Sequence, residues 1–245
     1  MTEDDLIDAQ ALLPPHQATT TLPPLSWRIQ KKGIHCLVGP DSVLLNRYLR
    51  TLAAIDRPGA GSLTLAPELG LLRPEALRMK LAYIPRNAPL LSVLNGLQNV
   101  TLPALYHQLC TREEAEAKAH QLLDALSFEG DLSRLPAYLP PLQRTQLAIA
   151  RALILEPLAM LLDVPYHTLE PGQQERLSRF FLRWGGQHSL VMATHKLSFV
   201  RQHADSIHFC GENAGYHFAS WEALCQSEDD EVQGYLRYYQ NNLEP

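Results

Sequence analysis

The sequence Ile34-His35-Cys36-Leu37-Val38, followed directly by Gly39-Pro40-Asp41-Ser42, decides the fold class of this 245-residue chain. The first five residues are mainly apolar and predict a short buried β-strand, which the Gly-Pro-Asp-Ser turn ends. Apolar side chains then recur at helical spacing and predict a helix that packs by one face, at Leu44, Leu45, Tyr48, Leu49 and Leu52. Strand, turn and helix in this order are the building unit of an α/β fold.

The same alternation continues along the chain. Strands are predicted at 26–29, 62–65, 81–84, 159–163 and 189–194, and helices at 142–155, 177–184 and 232–239. The run from Ala159 to Asp163 is apolar until it ends on a carboxylate, which is typical of a parallel strand covered on both faces. Residues 1–20 contain Pro14-Pro15 and are predicted to form an irregular arm, with order beginning near Leu22.

Residues 87–139 show a helical pattern instead. Thr111 and Glu114 form a Thr-x-x-Glu capping box, which predicts the start of a helix there. We therefore predict an inserted helical lobe at 87–139 between two parts of a core, 21–86 and 140–218. Residues 219–245 are predicted to form a C-terminal extension.

Composition excludes some classes of function. The chain has 21 Lys and Arg against 26 Asp and Glu, a net charge of -5 and no basic block, so no nucleic-acid partner is expected. Its four cysteines are far apart, as in proteins of a reducing compartment. The N-terminus is acidic, and no apolar run approaches the roughly 20 residues that cross a bilayer, so we expect a soluble chain.

Seven segments carry a resemblance to a known family. They are, in chain order, 39–63, Tyr83-Ile84-Pro85-Arg86, Gln98-Asn99-Val100, 138–153, Leu161-Leu162-Asp163-Val164-Pro165, Leu169-Glu170-Pro171 and Ala193-Thr194-His195. In this order they resemble the phosphate loop, Q-loop, Glu-Asn-Val segment, signature and following helix, Walker B strand, D-loop and switch histidine of ATP-binding-cassette (ABC) ATPases. The resemblance implies an α/β, phosphate-loop NTPase-type core with a mixed or antiparallel β subdomain and an inserted helical lobe.

The resemblance also implies a site for MgATP between two cassettes. The positions implied to bind nucleotide are Gly39, Pro40, Asp41, Ser42, Leu45, Asn46, Arg47, Arg86, Gln143 and Glu170. Asp163 and His195 stand at the catalytic positions, and Asp163 and Asn46 at those nearest to Mg²⁺.

The phosphate-loop residues depart from the family's pattern. Leu45 replaces the lysine that reaches the phosphates, and Asn46 replaces the Ser or Thr on Mg²⁺. Each lost charge-assisted hydrogen bond is worth about 1.5–3 kcal/mol, so triphosphate binding should weaken by one or more powers of ten. Arg47 or Arg86 could supply the charge from another direction, or each could be a surface or ion-paired arginine.

The remaining motifs depart as well. Pro140 and Pro141 replace the signature serine and first glycine and have no N–H to donate. Val164 stands at the Walker B glutamate position and cannot accept a proton. No aromatic residue lies near residue 14 to stack on adenine, where His16 is close by. We predict no useful ATP hydrolysis, and weak or absent binding of ATP and Mg²⁺.

Three hypotheses for function remain. The first is a degenerate cassette subunit, cytoplasmic and peripheral on a bacterial inner membrane, which docks on a permease through residues 86–105 and pairs with a second cassette, identical or different. The second is an active ATPase that uses Arg47, Arg86 and Asp163. The third is a soluble interaction module without a permease.

The tail suggests one class of transporter. Residues 219–224 and 231–236 resemble the tail of cassettes that serve Mla-type lipid transporters with MCE-domain proteins, in which such a tail can reach across to the partner cassette. An amphipathic helix folded back on its own core explains the same pattern equally well.

Overall fold

A computed structural model describes residues 2–15, 22–163 and 169–242. Its strands are β1 (Asp5–Leu13), β2 (Leu25–Gln30), β3 (Gly33–Val38), β4 (Ala60–Leu65), β5 (Leu81–Ile84), β6 (Ala159–Asp163), β7 (Ser189–Ala193), β8 (Ser206–Cys210) and β9 (Gly215–Phe218). Its helices are α1 (Ser42–Leu52), α2 (Pro67–Gly70), α3 (Pro74–Lys80), α4 (Gly96–Tyr106), α5 (Arg112–Ala125), α6 (Pro141–Leu153), α7 (Pro171–Gly185), α8 (Leu197–His203), α9 (Trp221–Cys225) and α10 (Asp230–Asn242), with a 3-10 turn at Pro136–Tyr138.

A six-stranded sheet in the order β5-β6-β7-β3-β8-β9 forms the centre of the fold. All neighbouring pairs are parallel except the antiparallel pair of β8 and β9. Every residue of β6, β7 and β8 is buried, as expected of parallel strands covered on both faces. Because the carboxyl ends of parallel strands meet at one edge, this sheet brings together Gly39 after β3, Asp163 at the end of β6 and Thr194 after β7.

The expected irregular arm is wrong over Asp5–Leu13. Residues Asp5–Leu13 form β1, the central strand of an antiparallel sheet in the order β2-β1-β4. Acidic and short side chains give this segment a weak strand propensity. Pairing on both edges supplies the backbone hydrogen bonds instead, and Leu6, Ile7 and Leu12 are buried beneath the sheet.

The helical lobe forms as the sequence predicts. The Thr111 hydroxyl accepts from the Glu114 amide, and the Glu114 carboxylate accepts from the Thr111 amide, so the capping box starts α5. A second capping box, Asn95 with Gln98, starts α4. Both helices pack against α6, whose buried face continues into the sheet core. The lobe therefore rests on a helix of the core.

The C-terminal segment folds back on its own core. Leu224 of α9 and Val232 of α10 are fully buried, and the ring of Tyr235 lies 5.3 Å from that of Phe209 on β8. The C-terminal extension predicted at 219–245 is thus packed against the sheet as far as Tyr239, with α10 beside β8. The described part of the chain contains no helix that combines the length and hydropathy of a membrane span.

Two buried histidines lie where β2 and β3 meet β8. His35 Nδ1 is 2.8 Å from the Ser206 hydroxyl, while the His208 ring has no hydrogen-bond partner and packs 5.6 Å from the Trp27 ring. Burial lowers the pKa of His35 from 6.5 to about 4, against a partial opposing effect of Asp205. Burial, with His217 nearby, lowers the pKa of His208 to about 3. Both rings are held neutral.

These histidines predict loss of stability in acid. Because their folded pKa values lie below the unfolded value, stability is fully present above pH 6.5 and falls as pH drops towards 4. Linkage gives a loss of roughly 2 kcal/mol per histidine between pH 7 and pH 5. Urea denaturation at pH 7 and pH 5 gives the loss of unfolding free energy between them. For His208→Phe this loss should be smaller than for the unsubstituted chain, by the part assigned to His208. His120→Gln, at an exposed histidine on α5, should leave the loss unchanged, and equal slopes for the two variants would contradict the assignment.

Candidate functional site

The amino terminus of α1 is closed by a side chain of the chain itself. Asp41 is the N-cap, and its carboxylate accepts hydrogen bonds from the amides of Val43, at 2.8 Å, and Leu44, at 3.2 Å. A phosphate loop aims such amides, together with the positive end of the helix dipole, at a ligand phosphate. Here an internal anion takes that place, and its charge opposes a second anion.

Leu45 points into the core and away from any phosphate position. Its side chain is 1% exposed and belongs to the cluster beneath the antiparallel sheet. Gly39 is packed so tightly that a Cβ there would lie 2.2 Å from the Cys210 carbonyl oxygen and 3.4 Å from Leu45. The loop therefore packs closely against the sheet, and the side chain at the position compared with the lysine is apolar and buried.

Asp163 is the centre of a small polar network. Its carboxylate, 4% exposed, forms an ion pair with the Arg86 guanidinium at 3.0 Å. The Asn46 amide donates to the same carboxylate at 3.3 Å and to the Tyr83 hydroxyl at 2.8 Å. Burial raises the pKa of Tyr83. The buried charge of Asp163 is thus compensated within the chain.

A magnesium ion, which the resemblance implies, does not fit these residues. Asp163 already faces a guanidinium, and Asn46 turns N–H donors towards it where a metal needs oxygen ligands. The described residues also contain no cluster of three or more His, Cys, Asp or Glu side chains suited to a metal. Arg86 supplies the positive charge that a cation would otherwise bring to Asp163.

A cavity of about 960 Å³ opens between this network and the helical lobe. It brings together several residues predicted from the sequence, Ser42, Asn46, Arg47, Arg86 and Asp163. Arg50 and Arg144 line it as well, so four arginines face one carboxylate. Arg47 donates to the Pro15 carbonyl oxygen, and Arg50 forms a two-point ion pair with Asp56 at 2.7 and 2.8 Å.

The signature and D-loop positions have structural roles within this chain. Pro140 is the N-cap of α6 and Pro141 its first residue, so neither offers an amide donor at the helix start. Gln143 donates to the Glu129 carbonyl oxygen at 3.2 Å, and Glu170 begins α7 in a capping box with Gln173. Neither Gln143 nor Glu170 lines the arginine-rich cavity.

A residue of the C-terminal helix α10 contacts the histidine at the switch position. His195 Nδ1 lies 3.0 Å from the Tyr239 hydroxyl of α10, and the two rings are nearly parallel. Pro40 lies at the other side of the phosphate loop, on a cavity shared with α10. The sequence predicts a helix at 232–239 but contains no signal for the partner of Tyr239. Val164 and His16 lie outside the described residues.

The chain resembles ATP-binding subunits of several transporters. It is 26% identical over 208 residues to the lipoprotein-releasing system ATP-binding protein LolD 1 of Chlorobium chlorochromatii (strain CaD3), which covers 80% of this chain and 83% of that protein. It is 26% identical over 211 residues to the L-cystine transport system ATP-binding protein TcyN of Escherichia coli (strain K12). The alignment covers 81% of this chain and 84% of that protein. No family model matches the chain.

A solved structure shares the whole fold. The cassette cbiO1 of Clostridium perfringens, part of the ABC transporter complex cbiONQ, superposes with a TM-score of 0.76 at 17% identity, over 98% of this chain and 96% of that one. The α/β core with a mixed sheet and a helical lobe is therefore the ABC ATPase fold. With the relatives, it identifies this chain as an ATP-binding-cassette subunit of the ABC transporter class.

The Arg86–Asp163 ion pair gives a testable stability difference. Arg86→Gln leaves Asp163 buried without its cation, at a cost of about 1–2 kcal/mol because the guanidinium is partly exposed. Magnesium at about 10 mM should then raise the melting temperature of the variant by binding the freed carboxylate, and should leave the unsubstituted chain unchanged.

Arg144→Gln is the matched control, because Arg144 is an exposed arginine of the same cavity. Its melting temperature should change little and should not respond to the metal. An equal magnesium response of all three proteins would contradict the role given to Arg86.

Proposed function

We propose that this cassette is a structural or regulatory subunit of an ABC transporter that has lost ATP hydrolysis. One observation carries the proposal: the charge of the buried Asp163 is compensated by Arg86, and its carboxylate also accepts a hydrogen bond from Asn46. The Asp41 cap at the start of α1 supports it independently, since a carboxylate occupies the amides that would hold a phosphate. The chain's own side chains thus supply charge at the two places where MgATP would otherwise supply it, the Asp163 carboxylate and the amides at the start of α1.

Weak nucleotide binding without turnover is a second candidate. The cavity beside Asp163 is lined by four arginines and one carboxylate, so its field favours an anion. Arg86 is used by Asp163 and Arg50 by Asp56, which leaves Arg47 and Arg144 to meet a polyphosphate. Two arginines without a metal can hold an anion, but the one carboxylate among the described lining residues, Asp163, is already paired with Arg86.

Turnover of the purified protein should not exceed that of an Asp163→Ala variant. Phosphate release from MgATP would be measured for both, alone and with any membrane complex that copurifies. A rate for the unsubstituted chain tenfold or more above the variant would support the active-ATPase alternative. Calorimetric titration with ATP, with and without Mg²⁺, separates the remaining cases: the proposal expects an affinity that the metal does not increase.

Docking on a permease is the expected structural role. A groove of about 200 Å³ lies between β5, α4 and α6 and is lined mainly by apolar side chains, among them Ile84, Ala88, Pro103 and Ala152. It overlaps the segment 86–105 that the resemblance assigned to the permease contact. Its volume and apolar character match one or two side chains on a short helix of a membrane-spanning partner. We propose that this contact places the subunit on the cytoplasmic face of an inner membrane.

Substitution in the groove should break this contact. Ala152→Glu introduces a charge among the apolar groove residues, and the tagged variant should no longer copurify from detergent-solubilised membranes with the multi-spanning protein that the unsubstituted chain retains. Ala125→Glu, an exposed alanine on α5, is the matched control and should retain it. Retention by both variants would refute docking at the groove, and failure of the unsubstituted chain to retain any such protein would favour a free interaction module.

Lipid trafficking is the transport process that we propose for the complex. The support is the resemblance of residues 219–224 and 231–236 to the tails of Mla-type cassettes, and an MCE-domain protein is the expected further partner. The second cassette would be an identical or a different chain. Mass spectrometry of the same copurified complex tests this proposal, since it identifies an MCE-domain protein and any second cassette directly.

A further inference from the structure

A second cavity lies on the opposite side of the phosphate loop from the arginine-rich one. It measures about 560 Å³ and separates α10 from the end of β8 and from Pro40. Its walls are unlike those of the first cavity. The residues that line it are Pro40, Phe209, Gly211, Glu212, Glu231, Gly234, Tyr235, Tyr238 and Tyr239.

The charge and aromatic content of these walls favour a cation. Among the described lining residues, the two charged ones, Glu212 and Glu231, are both acidic, and four of the nine are aromatic. The faces of tyrosine rings attract cations through their quadrupoles, and nearby carboxylates add to that attraction. Glu212 is exposed at the mouth, whereas Glu231 is fixed by accepting hydrogen bonds from Asn213.

One tyrosine of the cavity wall has a hydroxyl that is buried behind the wall. Tyr235 is 6% exposed, and its hydroxyl makes no hydrogen bond of normal geometry, although the backbone of Gly39 faces it. A buried hydroxyl without such a bond costs stability unless a ligand or water satisfies it. The hydroxyl itself is closed off from the cavity, so an occupant meets the ring of Tyr235 and not this group.

Gly234 is the second sign that the cavity is kept open. It lies inside α10, where glycine costs helix stability relative to alanine. Its φ is not in the left-handed region, and a Cβ built on it meets no atom within 4 Å. Neither the backbone conformation nor a neighbouring group therefore requires glycine. Its absent side chain leaves room on the cavity side of the helix.

We infer that this cavity binds an organic cation of the guanidinium or alkylammonium type, either free or as an arginine or lysine side chain of a partner protein. The ring faces and the two carboxylates hold the charge, and the space beside Gly234 admits the alkyl chain. Because Tyr239 also contacts His195, the occupant lies next to the residue that connects the tail with the switch position. The inference does not depend on the loss of hydrolysis.

NMR of the full chain with labelled tyrosine rings tests this site. The probes are butylguanidinium for the free cation, an end-blocked Gly-Arg-Gly peptide for the side chain, and the same peptide with citrulline as a neutral control. Saturable shifts with either cationic probe, at least tenfold weaker with citrulline, are expected. Tighter binding of the peptide would identify a protein side chain as the source, and tighter binding of butylguanidinium a free ligand.

Substitutions at Gly234 test whether binding takes place in this cavity. Gly234→Leu should fill the cavity and weaken binding at least tenfold, and Gly234→Ala should weaken it less while keeping the helix. Gly172→Leu is the matched control, because a Cβ there also meets nothing within 4 Å and Gly172 lies outside the cavity. No saturable binding to the unsubstituted chain, equal binding of citrulline, or unchanged binding by Gly234→Leu would each overturn the inference.

Discussion

The site depends on one electrostatic constraint: a carboxylate buried at the end of a parallel strand needs a compensating positive charge. Asp163 is such a group, since it is 4% exposed and ends β6 between two other buried strands. An uncompensated charge there would cost several kcal/mol. Arg86, from the loop after the neighbouring strand β5, supplies the compensation, and Asn46 adds a hydrogen bond. The cassette fold thus closes around Asp163 without a ligand.

The start of α1 also needs a compensating charge, and there the charge is negative. The first amides of a helix need acceptors, and they attract an anion. Asp41 provides both within the chain, while Leu45 adds a buried apolar contact where a charged side chain would reach the ligand. Two internal groups therefore supply the opposite charges that a metal and a phosphate would bring, which explains how the fold stays intact around this site.

The tail brings a third element to this region. Tyr239 of α10 contacts His195, and Pro40 of the phosphate loop borders the aromatic cavity next to α10. The strand ends that position the site thus lie between two cavities. The helical lobe borders the arginine-rich cavity, and α10 borders the aromatic one. A molecule that binds either cavity would act on the same loop.

The sequence by itself determined the class of fold and the order of the motifs. The apolar runs of β3, β6 and β7 and the capping box of α5 are local signals, because the hydrophobic pattern and the cap each involve residues that are close in the sequence. The absence of a phosphate-loop lysine could likewise be read directly. The tertiary structure alone decided that Asp5–Leu13 is a strand, because its partners β2 and β4 lie elsewhere in the chain. It also decided that Arg86 pairs with Asp163 and that Tyr239 meets His195. These contacts join residues 77 and 44 positions apart, and only the packing of the whole sheet brings them within hydrogen-bonding distance.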